Sequence, residues 1–233
     1  RGPTGARARR PSEPASLSQL IYYMWYLLEN YDSNDEVKYL VDNLEMYFVP
    51  MINPDGYYHN EVNDPNGGGM HRKNKRNVGT TNKGVDLNRN YSYQWGTTGV
   101  DFDLDDDTYP GTGPFSEPET QNMKKLVENH NFVLAFNAHT SGDMLLFPVG
   151  ATNEEFAPDH DFFQTIGNHM VEENGFLAQK SSGLYPASGD SDDYAYLDHG
   201  VIAMTPEIGP SFWPAANKIE GICKSTLFMN LKM

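Results

Sequence analysis

Four side chains in this sequence have the chemistry needed to bind a carboxylate and to break a bond beside it. Arg89 lies in DLNRNY, His139 in NAHTSGD, Tyr185 in YPASGDSDD and Glu207 in TPEIG. A guanidinium donates two parallel charge-assisted hydrogen bonds to a carboxylate, and an imidazole is a common metal ligand. A carboxylate transfers protons. These groups together are those needed to hold a peptide by its free C-terminus and to hydrolyse it.

Two of these residues also have a simpler interpretation. Arg89, with the neutral amide of Asn88 beside it, is either a carboxylate clamp or an arginine that braces a loop. Glu207 follows the apolar run VIAMTP, and a carboxylate at the end of such a run is either paired with a buried partner or catalytic. The presence of the companion motifs favours the chemical interpretation of both residues.

The elements that must position these residues alternate between helices and apolar strands. Capping-box patterns at Ser16, Ser33 and Ser116 predict helices that begin there, and a further helix is predicted near 158–174 and another at the C-terminus. Apolar runs predict strands at 44–52, 132–137 and 201–206. NPDGYY predicts a turn, and 57–115 predicts a long irregular region that contacts the substrate. The alternation predicts an α/β fold with a mixed, mostly parallel central sheet and helices on both faces.

Length and composition set the broad class. A chain of 233 residues fits one domain, which we expect over residues 13–233. Residues 1–12, with four arginines and no large apolar side chain, predict a disordered start. A net charge of -15 disfavours nucleic acid and anionic membranes as partners. Neither a membrane-spanning run nor a signal peptide is recognisable. Cys223 is expected to be a buried thiol rather than a nucleophile.

Seven ordered motifs resemble those of the zinc metallocarboxypeptidases of the pancreatic carboxypeptidase A and B type. They are NPDGY at 53–57, HRKNKR at 71–76, DLNRNY at 86–91, GPFSEPET at 113–120, NAHTSGD at 137–143, YPASGDSDD at 185–193 and TPEIG at 205–209. The resemblance implies a carboxypeptidase-like fold, here expected to lack its N-terminal strands. It also implies one zinc ion, peptide or protein C-termini as partners, a monomer and an extracellular or secreted location.

The resemblance also implies a role for each site residue. Asn88, Arg89 and Tyr185 would hold the terminal carboxylate. Glu207 would be the general base, and Arg72 would stabilise the oxyanion, a contribution of about 3 kcal/mol for one donor. For Arg72 a solvated basic patch is the alternative, and we expect that environment for its basic neighbours Lys73, Lys75 and Arg76.

The expected zinc site is incomplete in this sequence. The resemblance makes His139 and Glu13 metal ligands, and it places a further histidine three residues before the glutamate. Arg10 occupies that position, and an arginine stays protonated and cannot bind zinc. Two protein ligands remain where catalytic zinc normally has three. We expect an N-terminus that is truncated or disrupted rather than a natural pseudoenzyme.

Specificity is expected from the loop after Tyr185. The resemblance puts Asp192 at the floor of the specificity pocket, and a buried carboxylate favours a charged partner. A basic C-terminal residue is therefore predicted. Asp190 and Asp193 adjoin Asp192, so the assignment within SGDSDD stays open, and aspartates also cap turns or face solvent.

The predicted function is the zinc-dependent release of one C-terminal residue, with its activity limited by the missing histidine. The alternative is a metal-free module that binds peptide C-termini without cleaving them. A cell-wall peptidase is a further possibility, since relatives of this fold attack such peptides. DFDLDDD at 101–107 could suggest calcium, but it lacks the glycine and glutamate of an EF-hand loop, and an acidic solvated loop is preferred.

Overall fold

The computed structural model describes the backbone of residues 3–8 and all of residues 13–233. Its strands are β1 Pro3–Ala8, β2 Glu45–Val49, β3 Leu134–Ala138, β4 Met144–Phe147, β5 Leu177–Lys180 and β6 Ile202–Glu207. They form one six-stranded sheet in the order β2-β1-β3-β6-β4-β5. All neighbouring strands run parallel except β4 and β6, which are antiparallel. The predicted mixed, mostly parallel sheet is confirmed.

The strand β1 corrects the prediction of a start without secondary structure. Residues 3–8 pair in parallel with β2 on one side and β3 on the other, so that Ala6 lies opposite both Phe48 and Phe136. The sheet therefore has a strand before its first helix, and the gap expected beside β3 is filled. The segment PTGARA lacks the apolar residues that favour strands, and pairing on both edges overrides that weak preference. Residues 1–2 and 9–12, also expected to be disordered, lie outside the described residues.

The helices begin at other residues than the capping patterns indicated. α1 begins at Pro14, because proline suits the first helical position, and the hydroxyl of Ser16 donates to the carbonyl of Glu13. Asn34, not Ser33, caps α2 by accepting two backbone N–H bonds. The helices of residues 13–233 are α1 Pro14–Asn30, α2 Asp35–Asn43, α3 Pro54–Asn63, α4 Pro118–Glu128, α5 His160–Met170, α6 Ser191–Asp193, α7 Ala216–Ser225 and α8 Leu227–Leu231.

The predicted turn at NPDGYY is wrong, since α3 begins there. Asn53 accepts a hydrogen bond from the backbone N–H of Gly56, and Pro54 is the first helical residue. Asparagine followed by proline serves a helix N-terminus as well as a turn, so these letters alone do not separate the two. The strands β4 and β5 were not predicted either, because each has only four residues.

Alternate residues of β3 face different helices. Phe136 packs in the core cluster that contains Leu20 of α1, whereas Ala135 packs in the cluster that contains Ala195 just after α6. Because side chains alternate across a strand, Asn137 and His139 continue the face of Ala135. The sheet therefore has helices on both faces, as predicted, and it carries the polar residues of β3 on the α6 side.

Two further expectations concern single features. Cys223 is buried, with 3% of its surface exposed, as predicted. Within the described residues, none of the helices combines the length and the apolar character that crossing a bilayer needs.

Candidate active site

Six of the eight predicted site residues line one cleft, whose volume is about 450 Å³ with its open mouth included. They come from four separate parts of the chain. The cleft lies at the ends of β3 and β6, at the edge of the sheet where α/β folds place their sites. The six residues are Asn88, Arg89, His139, Tyr185, Asp192 and Glu207.

Asp86 holds the segment that carries Arg89. Residues Leu87–Arg89 form one turn of 3₁₀ helix, and the Asp86 carboxylate accepts the backbone N–H of Asn88. The same carboxylate is paired with the guanidinium of Arg72. One buried acid therefore connects the basic motif at 71–76 to the clamp motif at 86–91.

Arg89 is a buried cation whose charge is not neutralised by a described neighbour. Only 2% of the surface of Arg89 is exposed, and no ion pair within residues 13–233 includes this residue. Nε donates to the carbonyl of Gly99 at 3.0 Å and Nη1 to the carbonyl of Asn88 at 2.8 Å. Of the five N–H donors of an arginine, three on the terminal nitrogens remain. They suffice for a two-bond fork to a carboxylate.

His139 and Glu207 are neighbours across two strands. The two residues form a parallel bridge just beyond β3, at the end of β6, and the backbone N–H of His139 donates to Pro206. Glu207 follows Ala203 and Thr205 at intervals of two along β6, so all three face the α6 side. The imidazole and the carboxylate therefore lie on the same side of the sheet. Both residues are buried, with 1% of the surface of His139 and 8% of that of Glu207 exposed.

Glu13 lies behind His139 rather than in the lining of the cleft. Its Oε2 is 3.0 Å from Nδ1 of His139, and both side chains are buried. Glu13 directly precedes α1, where a negative charge is favoured by the helix dipole. The two predicted metal ligands are thus adjacent.

The described residues do not complete a catalytic zinc site. Across residues 13–233, no cluster of three or more His, Cys, Asp or Glu side chains is arranged to hold a metal ion. The position of the third expected ligand is Arg10, which lies outside the described residues. A zinc ion with three protein ligands therefore does not fit the side chains that the structure describes.

Hydrogen bonds fasten the loop after Tyr185 at three successive residues. The backbone N–H of Ala187 donates to Gly150, that of Ser188 to Thr98 and that of Gly189 to Tyr93. Gly189 has φ +69°, and a Cβ there would lie 2.5 Å from the carbonyl oxygen of Arg89. Only glycine fits this contact between the loop and the clamp segment.

Tyr185 lies at the exposed end of this loop. Its residue is 45% exposed, and its ring centre is 5.8 Å from the guanidinium carbon of Arg89. A phenol so placed is near the guanidinium of Arg89 and still open to solvent.

The three aspartates of the loop have different positions. Asp192 is 4% exposed, and it accepts hydrogen bonds from Thr205 at 2.7 Å and from Asn137. Asp190 also lines the cleft and caps α6 by accepting the N–H groups of Asp192 and Asp193. Asp193 instead accepts N–H bonds from the backbone at 150–151. Burial, and then the charge of Asp190, hold the pKa of Asp193 above its ordinary value.

Arg72 is not among the residues that line the cleft. Its guanidinium pairs with Asp86. Its neighbour Lys73 corrects the expectation of a solvated basic patch. Lys73 is 0% exposed, and its Nζ donates to the carbonyls of Leu104 at 3.0 Å and Asp106 at 2.7 Å. Lys73 thereby closes the acidic loop 101–107 around an ammonium group.

Several residues of the site were missed in the sequence. They are Asn137, Gly150 and Thr205. For Asn137 and Thr205 a signal exists, because each lies two residues before a predicted site residue on the same strand and therefore shares its face. For Gly150 the sequence carries no comparable signal.

Comparison with known proteins agrees with the motifs. The model of the zinc carboxypeptidase family matches residues 10–229. Carboxypeptidase O of Bos taurus is 31% identical over 242 residues, which cover 96% of this chain and 61% of that protein. Zinc carboxypeptidase A 1 of Anopheles gambiae is 34% identical over 217 residues, covering 88% and 48%. The chain thus spans roughly half to three fifths of these relatives' length.

A solved structure agrees with the fold. The crystal structure of thrombin activatable fibrinolysis inhibitor superposes with a TM-score of 0.89 at 22% identity, over 100% of this chain and 61% of that one. Because the family model matches residues 10–229 and these relatives are more than 30% identical over most of this chain, the chain belongs to the zinc carboxypeptidase family of peptide hydrolases.

Proposed function

We propose that this chain carries the substrate cleft of a carboxypeptidase that releases one residue from the C-terminus of a peptide. The observation that supports this most is Arg89, buried in the cleft with no ion pair among residues 13–233. Removing a charge from water without a partner is costly. A ligand carboxylate offsets that cost and accepts hydrogen bonds from two of the three remaining N–H donors.

The other site residues have roles consistent with such a ligand. Asn88 supplies an amide beside Arg89, and Tyr185 closes over the bound residue from the mouth of the cleft. Glu207, at the end of β6, takes a proton from the attacking water and returns it to the leaving amine. For Arg72 we propose stabilisation of the oxyanion, from a guanidinium whose present partner is Asp86.

The preferred C-terminal residue is basic. Asp192 lies in the cleft and is 4% exposed, with its carboxylate oriented by Asn137 and Thr205. Both of these donors are neutral groups. A carboxylate at this position attracts a Lys or Arg side chain of the substrate, whereas an apolar side chain gains nothing from it.

A second candidate function is binding without cleavage. It is favoured by the number of metal ligands in residues 13–233, where Glu13 and His139 are two donors and catalytic zinc takes three from the protein. The clamp, the loop and Asp192 do not depend on a metal. A chain that keeps them would bind peptide C-termini and release them intact.

Zinc content and product release distinguish the two candidates. The purified chain is dialysed against micromolar zinc, its metal content is measured by atomic absorption, and peptides ending in Arg, Lys, Leu and Phe are incubated with it. One equivalent of zinc with release of Arg or Lys supports the hydrolase. Binding without zinc and without release supports the binding module. A preference for Phe refutes the basic pocket.

Arg10→His provides a gain-of-function test of the missing ligand, with Arg10→Asn as the matched control. If residue 10 occupies the expected ligand position, the histidine variant binds zinc at least roughly 100-fold more tightly than the asparagine variant, because a third protein ligand, an imidazole nitrogen, is added. Equal zinc affinities of the two variants would show that position 10 is not part of the site.

We also propose that the protein acts outside the cell as a monomer on peptides or proteins, on the strength of the family resemblance. Gel filtration with light scattering tests the monomer, and a dimer mass would refute it. Cell-wall peptides are the competing substrates, and release of an amino acid from them, but not from linear Arg-ending peptides, would favour that activity.

A further inference from the structure

The structure has a second groove, separate from the cleft that contains Arg89. Its volume is about 980 Å³ with its open mouth included, against about 450 Å³ for the cleft. The groove lies between α7 and the starts of β4 and β5, where the backbone N–H of Leu177 donates to the carbonyl of Asp143. Of the described residues, none lines both the groove and the cleft. The carboxypeptidase site therefore leaves this groove unused.

Apolar side chains form the walls that a ligand would pack against. Phe176, Pro210, Pro214 and Ile222 all line the groove. Phe176 also belongs to the main core cluster and is 8% exposed, so this wall is held in place by the core. Apolar walls with a few polar groups are typical of sites for small molecules. The groove is therefore suited to a ligand with an apolar side chain.

Two opposite charges line the groove without neutralising each other. Asp143 and Lys218 both line it, and no ion pair within residues 13–233 includes either residue. Lys218 lies in the first turn of α7, which has no acidic side chain and where the helix dipole also favours an anion. Asp143 has φ +52°, a left-handed conformation that is uncommon for residues other than glycine. The groove thus offers a cation to one part of a ligand and an anion to another.

Asn174, which also lines the groove, has a polar atom without a partner. Its Oδ1 accepts the backbone N–H of Phe176 at 3.0 Å, and this bond fixes the orientation of the amide. Its Nδ2 is buried and has no hydrogen-bond partner among the described residues. A buried donor without an acceptor is costly, so an acceptor supplied from the groove would stabilise the protein.

We propose that this groove binds a free amino acid with an apolar side chain. The ammonium group of the ligand pairs with Asp143, and its carboxylate pairs with Lys218 and accepts a hydrogen bond from Asn174. Its side chain packs against Phe176 and Ile222. A ligand with a single charge would use only one of the two charged residues, whereas an amino acid uses both of them together with the apolar walls.

The test must separate the groove from the cleft, because the carboxylate of an amino acid could also bind to Arg89. Backbone amide chemical shifts are therefore followed by NMR in the wild type and in Arg89→Met, as phenylalanine is added. We expect the amides of Phe176 and Ile222 to shift with the same dissociation constant in both proteins. N-acetylphenylalanine and phenylalanine amide each lack one charge and should bind at least about threefold more weakly. Alanine should bind at least about tenfold more weakly, since it buries less apolar surface.

Two variants assign the charged contacts. Asp143→Asn should remove the preference for phenylalanine over its N-acetyl derivative, and asparagine tolerates the backbone conformation at this position. Lys218→Gln should remove the preference for phenylalanine over its amide. The matched controls are Asp161→Asn, at an exposed residue of α5, and Lys224→Gln, at an exposed residue of α7 that does not line the groove. Both controls should keep both preferences.

Three results would overturn the inference. They are amides of Phe176 and Ile222 that do not shift, shifts that disappear in Arg89→Met, and derivatives that bind as tightly as phenylalanine itself. None of these results bears on the carboxylate clamp of the cleft, because this inference does not rest on the proposed function. The loss of discrimination between free acids and amides of peptides remains the separate test of that function.

Discussion

Replacing Arg89 by methionine tests the carboxylate clamp most directly. Methionine keeps much of the side-chain volume and removes the charge with all five N–H donors. In the structure, two of these donors bond to the carbonyls of Gly99 and Asn88. The three others are available to a ligand, and a bidentate contact uses two of them.

The size of the effect follows from those two bonds. Hydrogen bonds to charged groups contribute about 1.5–3 kcal/mol each, and the site is largely shielded from water because Arg89 is 2% exposed. A loss of about 4 kcal/mol is therefore expected, which is roughly a 1,000-fold loss of affinity. The stability of the unliganded chain should change by less than about 2 kcal/mol, because removing a buried charge offsets the two lost bonds.

The assay compares a peptide that has a free C-terminus with the same peptide as an amide. Fluorescence anisotropy gives both dissociation constants for wild type, Arg89→Met and Arg76→Met. Arg76 is a suitable control because it pairs with Glu117 and is outside the residues that line the cleft. Wild type and Arg76→Met should discriminate strongly against the amide, and Arg89→Met should not. If Arg89→Met still prefers the free acid, a different group binds the carboxylate.

Three further predictions concern the surroundings of the cleft. Gly189→Ala should destabilise the chain by at least about 2 kcal/mol more than Gly175→Ala in urea unfolding. Both glycines have a similar positive φ, but only at Gly189 would a Cβ lie against a backbone carbonyl. Equal losses of stability would show that the backbone around Gly189 moves to accommodate the Cβ. Arg72→Ala should lower the free energy of unfolding by about 3 kcal/mol, since it removes an ionic partner of buried Asp86. The same variant should slow any peptide release about 100-fold with little change in KM. If only the stability changes, Arg72 positions other residues and does not stabilise the oxyanion. Burial, followed by the charge of Lys75, lowers the pKa of His71 from 6.5 to about 4. The unfolded chain therefore binds the proton more readily, and the stability that His71 contributes above pH 6.5 is lost as the pH falls towards 4. The free energy of unfolding of His71→Gln, measured in urea, should fall less steeply over this pH range than that of the wild type, and an equal slope would contradict the lowered pKa of His71.

The fold was predictable where the apolar pattern was long and continuous. The strand at 132–137 and the strand at 201–206 were found within two residues, because their buried side chains form uninterrupted apolar runs. β1 was missed because the letters PTGARA carry no apolar pattern, and the strand is seen only in its pairing with two strands that are distant in sequence. β4 was missed because four residues followed by a proline carry little periodic signal.

The site was predictable where function depends on one chemical group. Arg89, His139 and Glu207 each have a side chain whose chemistry is informative by itself, and the structure brings them to one cleft. The supports of these residues were not visible in the same way. Asp86 acts through the backbone N–H of Asn88 and through Arg72, and such contacts exist only once loops that are distant in sequence have met.

Among the strands that the structure describes, β1 is the one that joins β2 to the rest of the sheet. Its contact with β3 joins residues about 130 positions apart, and such non-local pairing is slow to form. The amide protons of β2 should therefore become protected from hydrogen exchange only after β3 has folded, and the two edges of β1 should open in one cooperative step. The place of β2 in the sheet then depends on the backbone pairing of six residues near the start of the sequence.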